Sequence, residues 1–172
     1  MSERTYIGID NGVTGTYGII HCIDGVKQKA IFSNTPVIEE QSYTKKKQNI
    51  KRLDWKKFGG ILKEWKDHNP YIIIEQPYVN ATDPRMVKTI ISGHRFLEAL
   101  IITIEWLNIP YRYITSREWQ KMLITGTKIP YAKEWKILST QLGIREFPEF
   151  ADTKAPDFDG IWIAEWARRS NL

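Results

Sequence analysis

Two carboxylates in this chain each close a short apolar run. Asp10 follows Tyr6-Ile7-Gly8-Ile9 and leads into the glycine-rich stretch Asn11-Gly12-Val13-Thr14-Gly15, and Glu75 follows Tyr71-Ile72-Ile73-Ile74. Two more, Asp157 and Asp159, stand just ahead of the apolar run Ile161-Trp162-Ile163-Ala164. Carboxylates beside core elements tolerate burial only where they are paired or hold a cation. Acids at three distant places in the sequence, each at the end of an element, therefore suggest one acidic cluster built to hold divalent cations. Oxygen ligands of this kind suit Mg2+, which prefers hard donors and keeps several of its waters. The three histidines, His21, His68 and His94, show no zinc-ligand spacing. Cys22, the sole cysteine, reads as a small core residue.

Such a cluster exists only if the elements carrying the acids meet. Residues 4–10, 14–23 and 27–33 read as three strands, with Gly12 and Gly15 permitting the first reversal and Asp24-Gly25 the second. Residues 34–52 are polar and basic and are expected to be irregular. A helix over 54–68 has Asp54 as its cap and Trp55, Phe58, Leu62 and Trp65 at helical spacing, and Asn69-Pro70 ends it. Residues 71–75 form a strand that is apolar throughout, so both its faces are expected to be covered. Asp83-Pro84 starts a helix that runs to about Leu107, and 111–114 form a fifth strand. Thr115 and Glu118 resemble a capping box for a short helix to Leu123. Residues 125–130 are a loop, 131–142 a helix, 143–156 a connection, and 157–169 the final helix.

A meander implies antiparallel pairing, and helical crossovers imply right-handed parallel pairing. The predicted fold is therefore α/β in a single domain over 1–172. Its mixed five-stranded sheet combines a three-strand antiparallel meander with parallel strands, and helices cover both faces. The helix 84–107 is apolar on more than one face, with Phe96 and Ile102 among its residues, which points to a second subunit and a two-fold homodimer. Most of the seven tryptophans sit at helical spacing and read as core or interface.

Composition sets the outer limits. With 42% hydrophobic and 26% charged residues, the chain is neither disordered nor membrane-spanning. Its longest apolar stretch, Leu97 to Leu107, contains Glu98 and Glu105 and is too short for a bilayer. With no signal-peptide pattern and no second cysteine for a disulfide, a cytoplasmic location is expected, or the host cytoplasm for a phage-encoded protein. A net charge of +5 favours a polyanionic partner. Lys45, Lys46, Lys47, Lys51, Arg52, Lys56 and Lys57 crowd together, either as a solvated loop or as a phosphate-binding arm; the second reading is preferred.

These motifs together resemble the RuvC-type Holliday junction resolvases of the RNase H-like nuclease superfamily. The first match is Ile7-Gly8-Ile9-Asp10-Asn11-Gly12-Val13-Thr14-Gly15-Thr16-Tyr17-Gly18. The second is Ile73-Ile74-Glu75-Gln76-Pro77-Tyr78, and the third is Asp157-Phe158-Asp159-Gly160-Ile161-Trp162-Ile163-Ala164. The resemblance covers essentially the whole chain and keeps the motif order. It implies an RNase H-like fold and a metal-dependent, structure-selective endodeoxyribonuclease. Such an enzyme would cleave Holliday junctions or other branched DNA in recombination and repair. It implies two Mg2+ ions per active site, Mn2+ being able to substitute, with Asp10 bridging both, Glu75 holding one, Asp159 the other and Asp157 assisting. Lys121 and Lys133 would offset charge near the scissile phosphate. Tyr78 would wedge into the branch point, and Lys128 lies in the same loop as a further DNA-binding candidate.

In one respect the chain departs from the family pattern, which places the last two metal-binding side chains three residues apart on the final helix. Here the residue three before Asp159 is Pro156, which cannot bind metal, so Asp157 must serve instead, from an extended or capping position. Helix capping is the alternative role for Asp157. Two further readings of the whole chain stay open at this stage: a nuclease of the same fold acting on flaps or RNA–DNA hybrids, and a catalytically inactive DNA-binding recombination protein.

Overall fold

A computed structural model describes residues 2–42, 49–77, 87–124 and 132–172, apart from the side chains of residues 132 and 133. In chain order the strands are β1 (Glu3–Ile9), β2 (Thr16–Ile23), β3 (Val26–Asn34), β4 (Val37–Gln41), β5 (Asn49–Leu53), β6 (Pro70–Glu75) and β7 (Tyr111–Ile114). The helices are α1 (Trp55–Trp65), α2 (Val87–Trp106), α3 (Ser116–Leu123), α4 (Ala132–Glu146) and α5 (Asp159–Arg169). Five strands make one sheet in the order β3-β2-β1-β6-β7. β1–β2 and β2–β3 pair antiparallel, while β1–β6 and β6–β7 pair parallel. This is the mixed sheet expected from the sequence.

The two-residue period of the strands sorts the core into two layers. Ile7, Ile9, Ile19, Ile72 and Ile74 pack with Phe58, Leu62 and Trp65 of α1 and Phe96, Leu100 and Ile104 of α2. Tyr6, Ile20, Cys22 and Ile73 face the other way, onto Trp119, Trp135 and the α5 residues Ile161, Trp162 and Ala164. β6 is buried at Ile72, Ile73 and Ile74 because helices cover both sides of it. Local chemistry starts the helices as the sequence indicates. The Asp54 carboxylate accepts from the Lys57 amide at 3.0 Å at the start of α1. The Glu118 carboxylate accepts from the amide and the hydroxyl of Thr115 at the start of α3.

Three elements differ from the sequence-based expectation. Within the stretch expected to be irregular, the described residues Val37–Gln41 and Asn49–Leu53 pair as a two-stranded antiparallel sheet, β4 with β5. Opposite charges across the pair hold it, with Lys51 3.9 Å from Glu39 and Arg52 2.6 Å from Glu40. The count of lysines overlooked these acidic partners. α4 continues through Gly143 to Glu146, because a side chain at 143 would collide with the Phe158 ring and glycine leaves room for it. The final helix begins at Asp159 rather than 157. The expected start of the long helix at Asp83-Pro84 lies outside the described residues. Among those described, no helix is long and apolar enough to cross a membrane.

α5 lies against the sheet with its backbone almost touching β1 and β2. Gly8 and Gly18 are paired directly across those strands. A methyl group on Gly8 would overlap the backbone of Ala164 and Gly160, and one on Gly18 would overlap that of Ile161. From the helix side, a methyl on Gly160 would meet the backbone of Thr16. The Gly160 amide donates to the buried Thr16 hydroxyl at 2.9 Å. Three glycines thus bring helix backbone onto strand backbone and fix where α5 begins. Gly8→Ala is expected to lower unfolding stability by about 1–3 kcal/mol through overpacking. In urea titration the midpoint should fall with little change in slope. An unshifted midpoint would show that α5 does not rest on β1.

Candidate active site

Asp10 emerges from β1 just as α5 begins beside it, and the Asp10 amide is held by the Thr16 carbonyl at 3.0 Å. Asp159 is the first residue of α5, and Asp157 precedes the helix in the buried connection. Oxygen atoms of Asp10, Asp157 and Asp159 all lie within 4.8 Å of one another. Glu75, at the end of β6, is close enough to raise the Asp10 pKa but is not part of that tightest trio. Its two oxygens accept hydrogen bonds from Ser116 Oγ at 2.6 Å and Trp119 Nε1 at 2.8 Å, both on α3. A carboxylate oxygen has a second lone pair, so these bonds orient Glu75 without exhausting it.

Asp157 performs two tasks at once. One oxygen accepts from the amide of Asp159, the first residue of α5, at 3.3 Å, from a position one residue before the N-cap Phe158, and the other receives Lys136 Nζ at 3.0 Å. Only 2% of its side chain is exposed, so it needs these partners. Ser139 donates to Asp159 at 2.7 Å and so turns that carboxylate into the cluster. Lys136 and Ser139 lie three residues apart on α4, a spacing that puts side chains on one helix face. That spacing is the sequence signal for these two residues.

The predicted site residues fall into three groups. Asp10, Glu75, Asp157 and Asp159 come together at one end of the sheet. Lys121 is exposed on the last turn of α3, and among the described residues Lys136 places its ammonium beside the acids. Lys51 and Arg52 belong to the charge-paired sheet of β4 and β5 and not to a loose arm. Lys45, Lys46, Lys47, Tyr78 and Lys128 lie outside the described residues, as does the side chain of Lys133. Trp119, expected simply as core, is buried and also donates to Glu75.

Charge repulsion in this pocket is severe. Burial, then Glu75 and Asp157, push the Asp10 carboxyl up to about 8, against a smaller opposing pull from Lys136. Burial, then Asp157 and Asp10, push Asp159 up to about 8. Burial also raises Glu75 to about 7, although Ser116 and Trp119 act in the opposite direction. The Lys136 ammonium is held charged: burial opposes it, but the hydrogen bond and charge of Asp157 prevail. Among the described residues, one ammonium, that of Lys136, stands beside four carboxylates and leaves an excess of buried negative charge. Near neutral pH it must be met by shared protons or by cations. Clustered hard oxygens with unmet negative charge fit divalent Mg2+ or Mn2+.

No protein-family model and no curated protein sequence matches the chain. Among solved structures, RuvC from T. thermophilus in complex with a Holliday junction substrate aligns with a TM-score of 0.50 at 14% identity, over 99% of this chain and 96% of that one. A second Thermus thermophilus RuvC structure aligns with a TM-score of 0.49 at 14% identity, over 99% and 97% of the two chains. The fold is thus the RNase H-like α/β fold of RuvC, carried over essentially the full length of this chain.

An acid whose pKa is raised by folding stabilises the native state while it is protonated. That contribution is complete below about pH 4 and is lost as pH rises through about 8. The metal-free protein is therefore expected to lose thermal stability between about pH 5 and about pH 8. Glu165, held low by Arg168 and Arg169 despite its burial, titrates below that window. Mg2+ should restore Tm at pH 8, and Asp10→Asn should raise the metal-free Tm there by at least about 2 °C. Calorimetry with EDTA or Mg2+ across this pH range checks both. A metal-free Tm that climbs with pH would contradict the repulsive cluster.

Proposed function

We propose that this protein is a metal-dependent endodeoxyribonuclease that resolves branched DNA, with the four-way junction as its preferred substrate. The observation that carries this reading is the convergence of Asp10, Asp157 and Asp159 to within 4.8 Å, with Glu75 alongside, on a RuvC-like fold. These carboxylates would hold two Mg2+ ions, which when bound supply an activated water, shielding of the phosphate and stabilisation of the leaving oxygen. Ser139 and Ser116 hold Asp159 and Glu75 in fixed orientations, so little reorganisation accompanies cation binding. Lys136, half exposed beside Asp157, together with Lys121 and Lys133, offsets charge on a phosphate entering over the cluster.

A groove of about 600 Å³ gives the DNA a path toward the site, lined by Val13, Ile50, Lys51, Trp55, Lys88 and Arg95 among others. Trp55, half exposed, offers a stacking surface, and the cations favour a backbone of phosphates. Tyr78 as a branch-point wedge, Lys128, and Lys45, Lys46 and Lys47 complete the proposed contact surface. Cleavage of labelled four-way junction, fork, RNA–DNA hybrid and linear duplex in Mg2+ tests this. Nicking of the junction in preference to the other three is expected. Asp159→Asn should slow it by at least about 100-fold, since a direct ligand matters more than a second-sphere partner worth roughly 10- to 100-fold. Full activity in that variant would refute the metal reading, and junction binding without nicking would favour the inactive scaffold.

A homodimer belongs to the same proposal, because resolving a four-way junction takes two cuts. Toward its C-terminal end, α2 leaves Ile102 and Trp106 exposed, 59% and 70% accessible. A pair of large apolar side chains on one helix suits an isologous contact with a second copy. Sedimentation equilibrium should show a dimer that Ile102→Glu converts to monomer. A monomeric native protein at micromolar concentration would remove this part of the proposal.

A further inference from the structure

At the far end of β1, about seven strand residues or roughly 23 Å from Asp10, Glu3, His21 and His68 place ligand atoms within 4.8 Å of one another. Glu3 Oε1 is 3.5 Å from His21 Nε2 and 2.7 Å from His68 Nδ1. They come from the start of β1, the end of β2 and the turn after α1, so only folding unites them. We propose that these three side chains form a second metal site, selective for a borderline transition-metal dication such as Zn2+ and separate from the acidic cluster.

The hydrogen bonds around His21 carry the inference. The buried Thr5 hydroxyl donates its single proton to the His68 carbonyl at 2.8 Å. Toward His21 Nδ1, 3.0 Å away, Thr5 Oγ1 therefore acts as acceptor, and Nδ1 carries the ring proton. In the neutral ring Nε2 is then a bare lone pair facing a carboxylate oxygen, acceptor against acceptor. A dication between them removes that conflict. The Nδ1–H bond to Thr5 is the outer partner that metal-bound histidines ordinarily have.

The surroundings are rigid enough to keep the three ligands aligned. Asn69 Nδ2 donates to the Glu3 carbonyl at 2.9 Å, and the Thr5 amide donates to the Asn69 carbonyl at 3.1 Å, so the turn bearing His68 is tied to β1. Trp65 packs against both imidazoles, at ring-centre distances of 5.6 and 5.7 Å. Ligands 2.0–2.1 Å from a tetrahedral Zn2+ lie about 3.3 Å apart. The Glu3–His21 spacing already matches, and the Glu3–His68 spacing needs to open by only about 0.6 Å. His68 and Glu3 are half exposed, which leaves a water-accessible fourth position. Two imidazoles with one carboxylate favour Zn2+, Co2+ or Ni2+ over Mg2+, opposite to the all-oxygen cluster. Bound there, the ion would tie β1, β2 and the turn after α1 together at the end of the sheet away from the acids.

The test uses the full chain, stripped with chelator, carrying Asp157→Asn and Asp159→Asn to silence the acidic cluster, in excess Mg2+. Calorimetric titration with Zn2+ should give one ion per chain, and Co2+ should produce a visible absorption band. Zn2+ at 100 times its Kd should raise Tm by about 5–10 °C. His68→Gln, at an exposed position, should weaken Zn2+ binding at least about 10-fold and remove the Tm shift, and Thr5→Val should weaken it by roughly 10-fold. His21→Gln in the otherwise native chain should leave any Mg2+-dependent activity unchanged. The site is refuted if no Zn2+ binds in excess Mg2+, or if His68→Gln and His21→Gln bind it as tightly as the parent. The readout is metal binding, so it stands or falls independently of the nuclease proposal.

Discussion

The close approach of α5 to β1 and β2 is the constraint on which the candidate site depends. Helices ordinarily stand off a sheet by the thickness of their side chains. Here Gly8, Gly18 and Gly160 remove that spacer, and the Gly160–Thr16 hydrogen bond fixes the axial position of the helix. Asp159, one residue before Gly160, has no freedom to lie anywhere but beside the end of β1, where Asp10 is. A helix sitting a side chain farther out would carry Asp157 and Asp159 away from Asp10, and the cluster would open.

The cost of that arrangement is electrostatic. Four acids converge where burial already disfavours charge, and Asp10 and Asp159 are each driven up to about 8. The surrounding shell limits the strain without cancelling it. Ser116 and Trp119 hold Glu75, Ser139 holds Asp159, and Lys136 pairs with Asp157. Each of these partners comes from α3 or α4, so these two helices both pack the core through Trp119 and Trp135 and orient the carboxylates. A site left short of positive charge in this way is suited to taking up cations, and a site that must release them again cannot be fully neutralised by its own lysines.

Local signals in the sequence were read well where one residue type had one physical use. Strand alternation, the Asp54 and Thr115–Glu118 helix starts, and the acids at element ends all depend on near neighbours. Readings failed where the partner was distant or of opposite sign. The stretch 34–52 reads as irregular, yet Glu39 and Glu40 on β4 pair with Lys51 and Arg52 on β5, opposite charges that meet only across the strands. Nothing local in the sequence pairs Lys136 with Asp157, because its partner lies 21 residues away. The histidines showed no metal spacing because 47 residues separate His21 from His68, and only the register of β1 with β2 and the turn after α1 bring them together.

The sequence by itself determined the five strands of the main sheet and their mixed pairing, and which acids stand at the ends of core elements. These follow from apolar periodicity and turn chemistry, which act over a few residues. The tertiary structure alone decided which of those acids share a pocket, that Lys136 joins them, that Asp157 both bonds the Asp159 amide and belongs to the cluster, and that Glu3 meets two histidines at the opposite pole. Such facts turn on distances of a few ångströms between segments far apart in the chain. Those distances are set by glycine-to-backbone contact and strand register, which no local pattern encodes.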